Sequence, residues 1–456
     1  MTNHRDPIEE WLSEDVDLLQ PPQGAFRTVR RRARRRKAVQ AMSAAAAAAV
    51  VVAAAVSLPQ VAGNLFSGPS SGPQKYLTGT PESATRTSAK ATSRTPHPPA
   101  TRHLPPLSSA GSGQRPPAGF SPTSVTFING GSLGAVIGQG GASCAPTPCT
   151  LVAGTSDYGR RWTEIGAPPA APPAGSSGVS QIRFADKRNG WAYGPALWAT
   201  HDGGTKWRRV TIVPGPVIDL ATVGGRVFAV AVSGCAASGS QYAKGCTGFT
   251  LFGASTAGGT WHQLAGGLGP VTSGALQLTA QYGYLLAGGT LYSGPIGGSW
   301  RTVPVSTSSA VTPACLRSTA GRGLIAPTPI SSPRSGTLYL VCDFAAGKLS
   351  ALYASGDGGR TWQAKRTIPT PASASATSLA VSPAGPLVLA TTAGIYYSLD
   401  ARAWHGALGS RVLGGFRFVG MTTARMGVAV PSDSGLHEVF TTIDGGKTWR
   451  ASKISQ

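Results

Sequence analysis

The chain has 456 residues, including 61 Gly and 36 Pro, and only 13% of its residues are charged. Such a composition excludes a protein built mainly of long helices and favours short strands joined by turns. The formal net charge is +22, which suits nucleic acid, an anionic membrane or an acidic cell-wall polymer as partner, so the compartment has to be inferred before the partner.

The N-terminal sequence predicts the compartment. Residues 38–58 carry no charge, and a helix of this length, at about 1.5 Å per residue, just crosses a hydrocarbon core of about 30 Å. The run RRRARRRK at residues 30–37 directly precedes this segment, and basic residues beside a span stay on the cytoplasmic side. We therefore expect a cytoplasmic segment 1–37, a single transmembrane anchor 38–58 in the cell membrane, and an extracytoplasmic remainder.

Two alternatives to this topology stay open. Residues 61–63 form a tolerable signal-peptidase site, so residues 1–63 could instead be a cleaved export signal. The basic run could also be a nucleic-acid patch, but its position beside an apolar segment already explains it, so no nucleic-acid partner is expected. Upstream, residues 8–19 have the apolar spacing of a short helix that docks on a cytosolic partner. A helix lying on the bilayer surface and an unstructured segment are the alternatives.

Residues 59–119 are dominated by Pro, Ser, Thr, Gly and Ala and show no apolar period. A segment of this composition cannot bury enough apolar surface to fold. We expect it to be a disordered stalk that carries the following domain.

A short motif then recurs through residues 120–456. The pattern Ser/Thr-x-Asp-x-Gly-x-x-Trp, called the box below, occurs intact at residues 155–162, 200–207, 355–362 and 442–449. Degraded copies lie at residues 255–261, 293–300 and 398–404. Seven copies at this spacing are typical of the four-stranded blades of a propeller, so we expect an all-β, seven-bladed β-propeller of antiparallel blades.

The repeat at residues 180–210 divides into four short strands, with the box in the hairpin between strands three and four. There the Asp carboxylate can accept hydrogen bonds from backbone N–H groups of its own turn, Gly supplies positive φ, and Trp buries its ring between sheets. A calcium-binding loop would need several carboxylates, and a phosphate-binding loop would need a helix after it. The box has one carboxylate and is followed by a strand, so a structural role is expected. The residues given this role are Asp157, Trp162, Asp202, Trp207, Asp357, Trp362, Asp400, Trp404, Asp444 and Trp449.

These copies are identified as Asp-box (BNR) repeats. The pattern IRF…NGWAYG…LWATHDGGTKW within residues 182–207 resembles the propeller family that includes photosystem II stability/assembly factors. The resemblance covers residues 120–456 and implies the fold. Since Asp-box propellers include sialidases, other glycosidases, sorting receptors and assembly factors, it implies no single function.

The choice between an enzyme and a binding module depends on the inner strands. A sialidase would be expected to place an arginine triad, a Tyr–Glu pair and an acidic residue there. Asp219 is the one acidic residue that the sequence places on an inner strand, whereas glycoside hydrolysis generally needs two cooperating carboxyls. We therefore expect a non-catalytic module that binds an extracytoplasmic protein or an anionic glycan, with an exported sialidase-like glycoside hydrolase as the alternative.

Two arginines are candidates for binding an anionic group, because Arg183 and Arg417 both lie on first strands. The competing interpretation is that both arginines only keep the protein surface soluble. The seven His residues never occur at metal-ligand spacing, and no cofactor motif is present, so neither a metal nor a cofactor is expected.

The six cysteines, Cys144, Cys149, Cys235, Cys246, Cys315 and Cys342, all fall in the part expected to be exported. This number and compartment favour disulfides. Pairing of sequence neighbours suits the blades best and would place all three bridges on the face opposite the boxes. The sequence thus favours that face as a surface held in shape for binding, although stabilisation of long loops explains the bridges nearly as well.

Overall fold

A computed structural model shows the propeller. The residues it describes are 113–140, 149–173, 177–211, 214–235, 246–271, 275–306, 311–317, 322–329, 336–343, 351–371, 374–409 and 412–455. The segments predicted as cytoplasmic (1–37) and as anchor (38–58) lie outside them, as does the predicted stalk up to residue 112. None of the helices in the described ranges has the length and apolar character needed to cross a membrane.

The described strands form seven four-stranded sheets, and every sheet is built from four consecutive antiparallel strands. Blades one to four are β1 Ser121–Ile128, β2 Leu133–Gln139, β3 Thr150–Thr155, β4 Thr163–Ile165; β5 Gln181–Phe184, β6 Gly190–Tyr193, β7 Trp198–Thr200, β8 Arg208–Arg209; β9 Val217–Val223, β10 Arg226–Ser233, β11 Gly248–Ser255, β12 His262–Leu268; and β13 Leu276–Leu278, β14 Tyr282–Ala287, β15 Thr290–Pro295, β16 Arg301–Thr302. Blades five to seven are β17 Arg322–Pro327, β18 Leu338–Asp343, β19 Ala351–Ser355, β20 Gln363–Thr367; β21 Ala376–Val381, β22 Leu387–Thr391, β23 Gly394–Ser398, β24 His405–Leu408; and β25 Phe416–Met421, β26 Gly427–Pro431, β27 Glu438–Thr442, β28 Arg450–Lys453. Short 3₁₀ turns occupy Asn129–Gly131, Ala314–Leu316 and Ser434–Leu436. The seven-bladed, all-β prediction is confirmed.

The core lies between the blades. The described residues form seven apolar clusters, and each joins one blade to the next and contains or contacts the box tryptophan of the later blade. The second strands are buried along most of their length, as in Leu387–Thr391, because both of their faces pack against neighbouring sheets. The box tryptophans therefore contribute aromatic packing to every blade interface.

The ring closes between blades seven and one. Phe120 and Trp162 of blade one pack in the same cluster as Val428 and Val439 of blade seven. The Nδ1 atom of His437, which has left-handed φ of 54°, lies 3.1 Å from the carbonyl oxygen of Phe120. Because each blade is one continuous segment, this closure uses side-chain packing and hydrogen bonds among the described residues rather than exchange of a strand.

The chain contacts blade one before the predicted domain boundary at residue 120. The carbonyl of Gln114 accepts a hydrogen bond of 2.8 Å from the backbone N–H of Glu164 on β4, the outermost strand of that blade. Residues 113–119, which the sequence assigns to the stalk, thus run along the propeller edge.

Candidate binding sites

The first strands of the blades enclose a cavity of about 490 Å³ on the propeller axis. Its described lining is largely apolar and contains one basic residue, Arg183, and one acidic residue, Asp219. The Arg183 guanidinium lies 5.8 Å from the ring centre of Phe418, a cation–π contact, and its Nε donates to the carbonyl of Leu220 at 3.4 Å. In the described lining of this cavity, Arg183 is therefore the one cationic side chain that could bind an anion.

Asp219 is buried, with 4% of its surface exposed. One carboxylate oxygen accepts the N–H of Leu220 at 2.9 Å, and the other accepts the N–H of Leu276, the first residue of β13, also at 2.9 Å. The side chain therefore links blade three to blade four. Both of its oxygens are engaged by the backbone, which is the arrangement of a structural carboxylate.

Arg417 does not join Arg183 in the axial cavity. Its Nε donates to the carbonyl of Pro431 at 2.9 Å, and its Nη2 to the carbonyl of Ser432 at 2.6 Å. Burial lowers the pKa of this guanidinium from its usual value. The sequence-based hypothesis of an arginine cluster at the axis is not supported by this placement, because Arg417 is used within its own blade.

The box of blade five shows how these hairpins are built. The Ser355 hydroxyl donates to Asp357 Oδ1 at 2.7 Å, and Oδ1 also accepts the N–H groups of Arg360 and Thr361 at 3.0 and 2.9 Å. Burial alone would raise the pKa of Asp357, but the hydrogen bonds from Thr361, Ser355 and Arg360 outweigh it and hold the pKa below its usual value. The carboxylate is thus stabilised in its charged form by its own turn.

The same network recurs in the other intact boxes. The carboxylates of Asp157, Asp202 and Asp444 each accept a backbone N–H four residues later at 2.9 to 3.0 Å, and their pKa values are lowered in the same way. Asp400, in a degraded box, accepts the N–H groups of Arg402 and Ala403 at 2.8 and 2.9 Å. In each of these turns the carboxylate is used by its own backbone.

A second cavity lies where blade seven meets blade one, and we call it the seam groove. It has a volume of about 930 Å³ and is lined by both box hairpins and by β28. Its described lining contains six basic side chains and one acidic residue, Asp444. The basic residues are Arg115, Arg160, Arg161, Arg425, Arg450 and Lys453, all exposed. Since the Asp444 carboxylate is engaged by Lys447 and Thr448 of its own turn, the groove presents a strongly positive surface.

Two exposed non-polar side chains also line the seam groove. Tyr158 is 50% exposed and Ile443 is 60% exposed. Tyr158 has φ of 66°, whereas the same box position in blades two, five and seven is occupied by Gly203, Gly358 and Gly445, all with positive φ. A tyrosine in this left-handed conformation is strained, because its Cβ crowds the backbone.

The disulfides stabilise a different part of the molecule. Cys235 and Cys246 are bonded and close the loop between β10 and β11, and Cys315 and Cys342 are bonded and tie the 3₁₀ turn before β17 to β18. Cys149 is also disulfide-bonded, and its predicted partner Cys144 lies outside the described residues. The cavity of about 320 Å³ beside Cys235 has no charged residue in its described lining. This small cavity thus lacks the charge that the seam groove has.

Sequence reasoning missed the seam groove, although a signal for it existed. Arg160 and Arg161 belong to the first box, and Arg450 directly follows the tryptophan of the last box. A closed ring must place the first and last repeats side by side, so these cations could have been combined from the repeat order alone. In the described part of the chain, no group of three His, Cys, Asp or Glu side chains is arranged to hold a metal ion.

Comparison with known proteins finds solved structures whose fold is similar to that of this chain. No family model matches the chain, and no curated protein matches it. YCF48 from Cyanidioschyzon merolae is similar at 16% identity over 74% of this chain and 88% of that chain, with a TM-score of 0.34. The designed Ika8 protein matches at 14% identity over 74% and 86%, with a TM-score of 0.43. PorZ, a surface component of the type-IX secretion system of Porphyromonas gingivalis, matches at 11% over 75% of this chain and 39% of its own, with a TM-score of 0.44. At these values the likeness concerns the fold alone.

Proposed function

We propose that this chain is a membrane-anchored, extracytoplasmic, non-catalytic binding module that captures an anionic protein or glycan in the seam groove. The observation that carries the proposal is the charge of that groove, where six basic residues converge and the one carboxylate is engaged by its own turn. A groove lined by one sign of charge raises the local concentration of an oppositely charged partner and speeds its association.

The axial cavity supports a catalytic role less well. Its one carboxylate, Asp219, is buried between two backbone N–H groups, so a proton transfer through it would break the link between two blades. The membrane anchor and the exported position of the propeller rest on the charge pattern of residues 30–58.

Charge reversal tests the proposal. The full-length chain in detergent carries Arg450→Glu together with Lys453→Glu, and its retention on immobilised polygalacturonate and on immobilised poly-L-glutamate is measured against salt. We expect affinity for at least one of these polyanions to fall about tenfold or more and the salt dependence to become shallower, because both cations line the groove.

The matched control is Arg208→Glu with Arg209→Glu. This pair has the same charge change and is also exposed on an outermost strand, but it belongs to blade two and lies outside the groove. We expect the control to change affinity less than about twofold. Equal losses in both variants, or no retention of the unaltered chain, would reject the groove as the site.

A further inference from the structure

Tyr158 distinguishes the seam groove from the other intact box hairpins, whereas the degraded box of blade six has Ala401 at this position, also with positive φ of 61°. The backbone at Tyr158 repeats the turn of the boxes in blades two, five and seven, since Asp157 Oδ1 accepts the N–H groups of Arg160 and Arg161 at 3.0 and 2.9 Å. Glycine would meet the positive φ of this position without strain. The tyrosine is not explained by packing either, because half of its surface is exposed.

Backbone strain of this kind clusters at ligand-binding and active sites. The exposed aromatic ring of Tyr158 lines the groove together with its arginines, including Arg160, Arg161 and Arg450. Sugar rings present C–H faces that pack on aromatic rings, and guanidinium groups bind carboxylate and sulfate in pairs of hydrogen bonds. The combination of exposed ring and guanidinium groups matches an acidic sugar polymer in both respects.

A peptide fits the groove less well. Peptides commonly bind by adding a strand to an exposed sheet edge. The β28 edge faces the box of blade one, and the Ser452 hydroxyl donates to the carbonyl of Gly159 across the seam. The groove lining also includes the exposed side chains of Ile443 and Tyr158 beside the cations.

We infer that the seam groove binds an anionic polysaccharide and that Tyr158 is the residue on which a sugar ring packs. This inference rests on the proposed function, since it names the ligand class of the same site. The groove volume of about 930 Å³ is large for a single small anion and accommodates several sugar units. The cations bind the acidic groups, and the ring selects a sugar over other polyanions.

The test replaces Tyr158 in the full-length chain by Gly, by Asn and by Phe. Asn tolerates left-handed φ but lacks the ring, and Phe keeps the ring without the hydroxyl. Affinity is measured for polygalacturonate and for poly-L-glutamate at the same salt concentration, and thermal unfolding is followed for each variant.

We expect Tyr158→Gly and Tyr158→Asn to weaken polygalacturonate binding about fivefold, to leave poly-L-glutamate binding within about twofold, and Tyr158→Phe to retain both. The unfolding midpoint of the glycine variant should be unchanged or raised, because relief of strain offsets the added freedom of its unfolded chain. A loss of binding without a loss of stability distinguishes a ligand contact from a structural role.

Two results would overturn the inference while leaving the proposed function intact. One is charge reversal at Arg450 and Lys453 that weakens binding while the Tyr158 variants bind polygalacturonate normally. The other is a preference for poly-L-glutamate that the Tyr158 variants reduce, which would assign the groove to an acidic protein segment. If charge reversal itself has no effect, the proposed function fails and this inference fails with it.

Discussion

The inner ring of first strands and the outer box hairpins use their polar side chains in opposite ways. In the inner ring these groups join one blade to the next: Thr123 Oγ1 donates to the carbonyl of Ser180 at 2.6 Å, and Thr377 Oγ1 to the carbonyl of Phe416 at 2.5 Å. In the hairpins each Asp bonds to its own turn, and the arginines beside it are exposed. The comparison teaches that the axis is used for assembly of the ring, whereas the available charge lies on the hairpins.

The largest effect that tests this comparison is expected at a box tryptophan. Trp362 is 3% exposed and packs between blades four and five with Tyr284, Leu291 and Leu338. We expect Trp362→Ala to lower the free energy of unfolding by about 3–5 kcal/mol, because a large buried ring leaves a cavity. Chemical denaturation monitored by circular dichroism measures it.

Trp261 provides the matched control for this substitution. It belongs to a degraded box and is only partly buried in the cluster between blades two and three. Trp261→Ala should therefore cost clearly less than Trp362→Ala. Equal costs would show that the burial of the ring does not determine its contribution to stability.

An intermediate effect is expected at the inner ring. Asp219→Asn replaces one of two carboxylate oxygens by an amide group, so that the buried N–H of either Leu220 or Leu276 loses its acceptor. We expect a loss of about 1–3 kcal/mol in the free energy of unfolding, with retention on the polyanion columns unchanged.

Asp186→Asn serves as control, since Asp186 lies in an exposed turn. The same preparations are assayed for release of sugar from sialoside and other exoglycosidase substrates. Turnover by the unaltered chain that disappears with Asp219→Asn would reverse the comparison, making the axis the active site of an exported glycoside hydrolase.

The sequence predicts the blade order and the hairpins well, because both depend on local features. The Asp and Gly of a box determine the turn within a few residues, and the tryptophan marks the interface with the preceding blade. The placement of Arg417 was not predictable in this way. The pairing of β25 with β26 shifts register between Phe416 and Phe418, and such a bulge re-aims the side chain of the extra residue, so that strand alternation fails there.

The seam groove illustrates the other limit of sequence reasoning. Repeat order indicates that blades one and seven are neighbours, but the orientation of Arg425 and Lys453 depends on how the two sheets twist against each other. The strain at Tyr158 is also invisible without backbone angles, although its occupation of a glycine position in the box pattern is readable from the sequence.

The smallest effect is expected at a box carboxylate and is pH-dependent. Asp357→Ala removes the acceptor for the N–H groups of Arg360 and Thr361, and we expect a loss of about 1–2 kcal/mol at pH 7, as for other capping side chains. The folded chain holds the pKa of Asp357 below its usual value. This stabilisation is therefore fully present above the unfolded pKa of about 3.9 and is lost as the pH falls through the folded pKa. The difference in stability between Asp357→Ala and the unaltered chain should accordingly shrink below about pH 4, as measured by denaturation across pH. The same behaviour should appear for Asp444→Ala, because Asp444 has the same contacts.

A difference that stays constant into the acid range would mean that the carboxylate contributes through packing rather than charge. Loss of polyanion binding by Asp357→Ala, in a box remote from the seam groove, would contradict the structural assignment of the boxes and the division between ring and hairpin on which it rests.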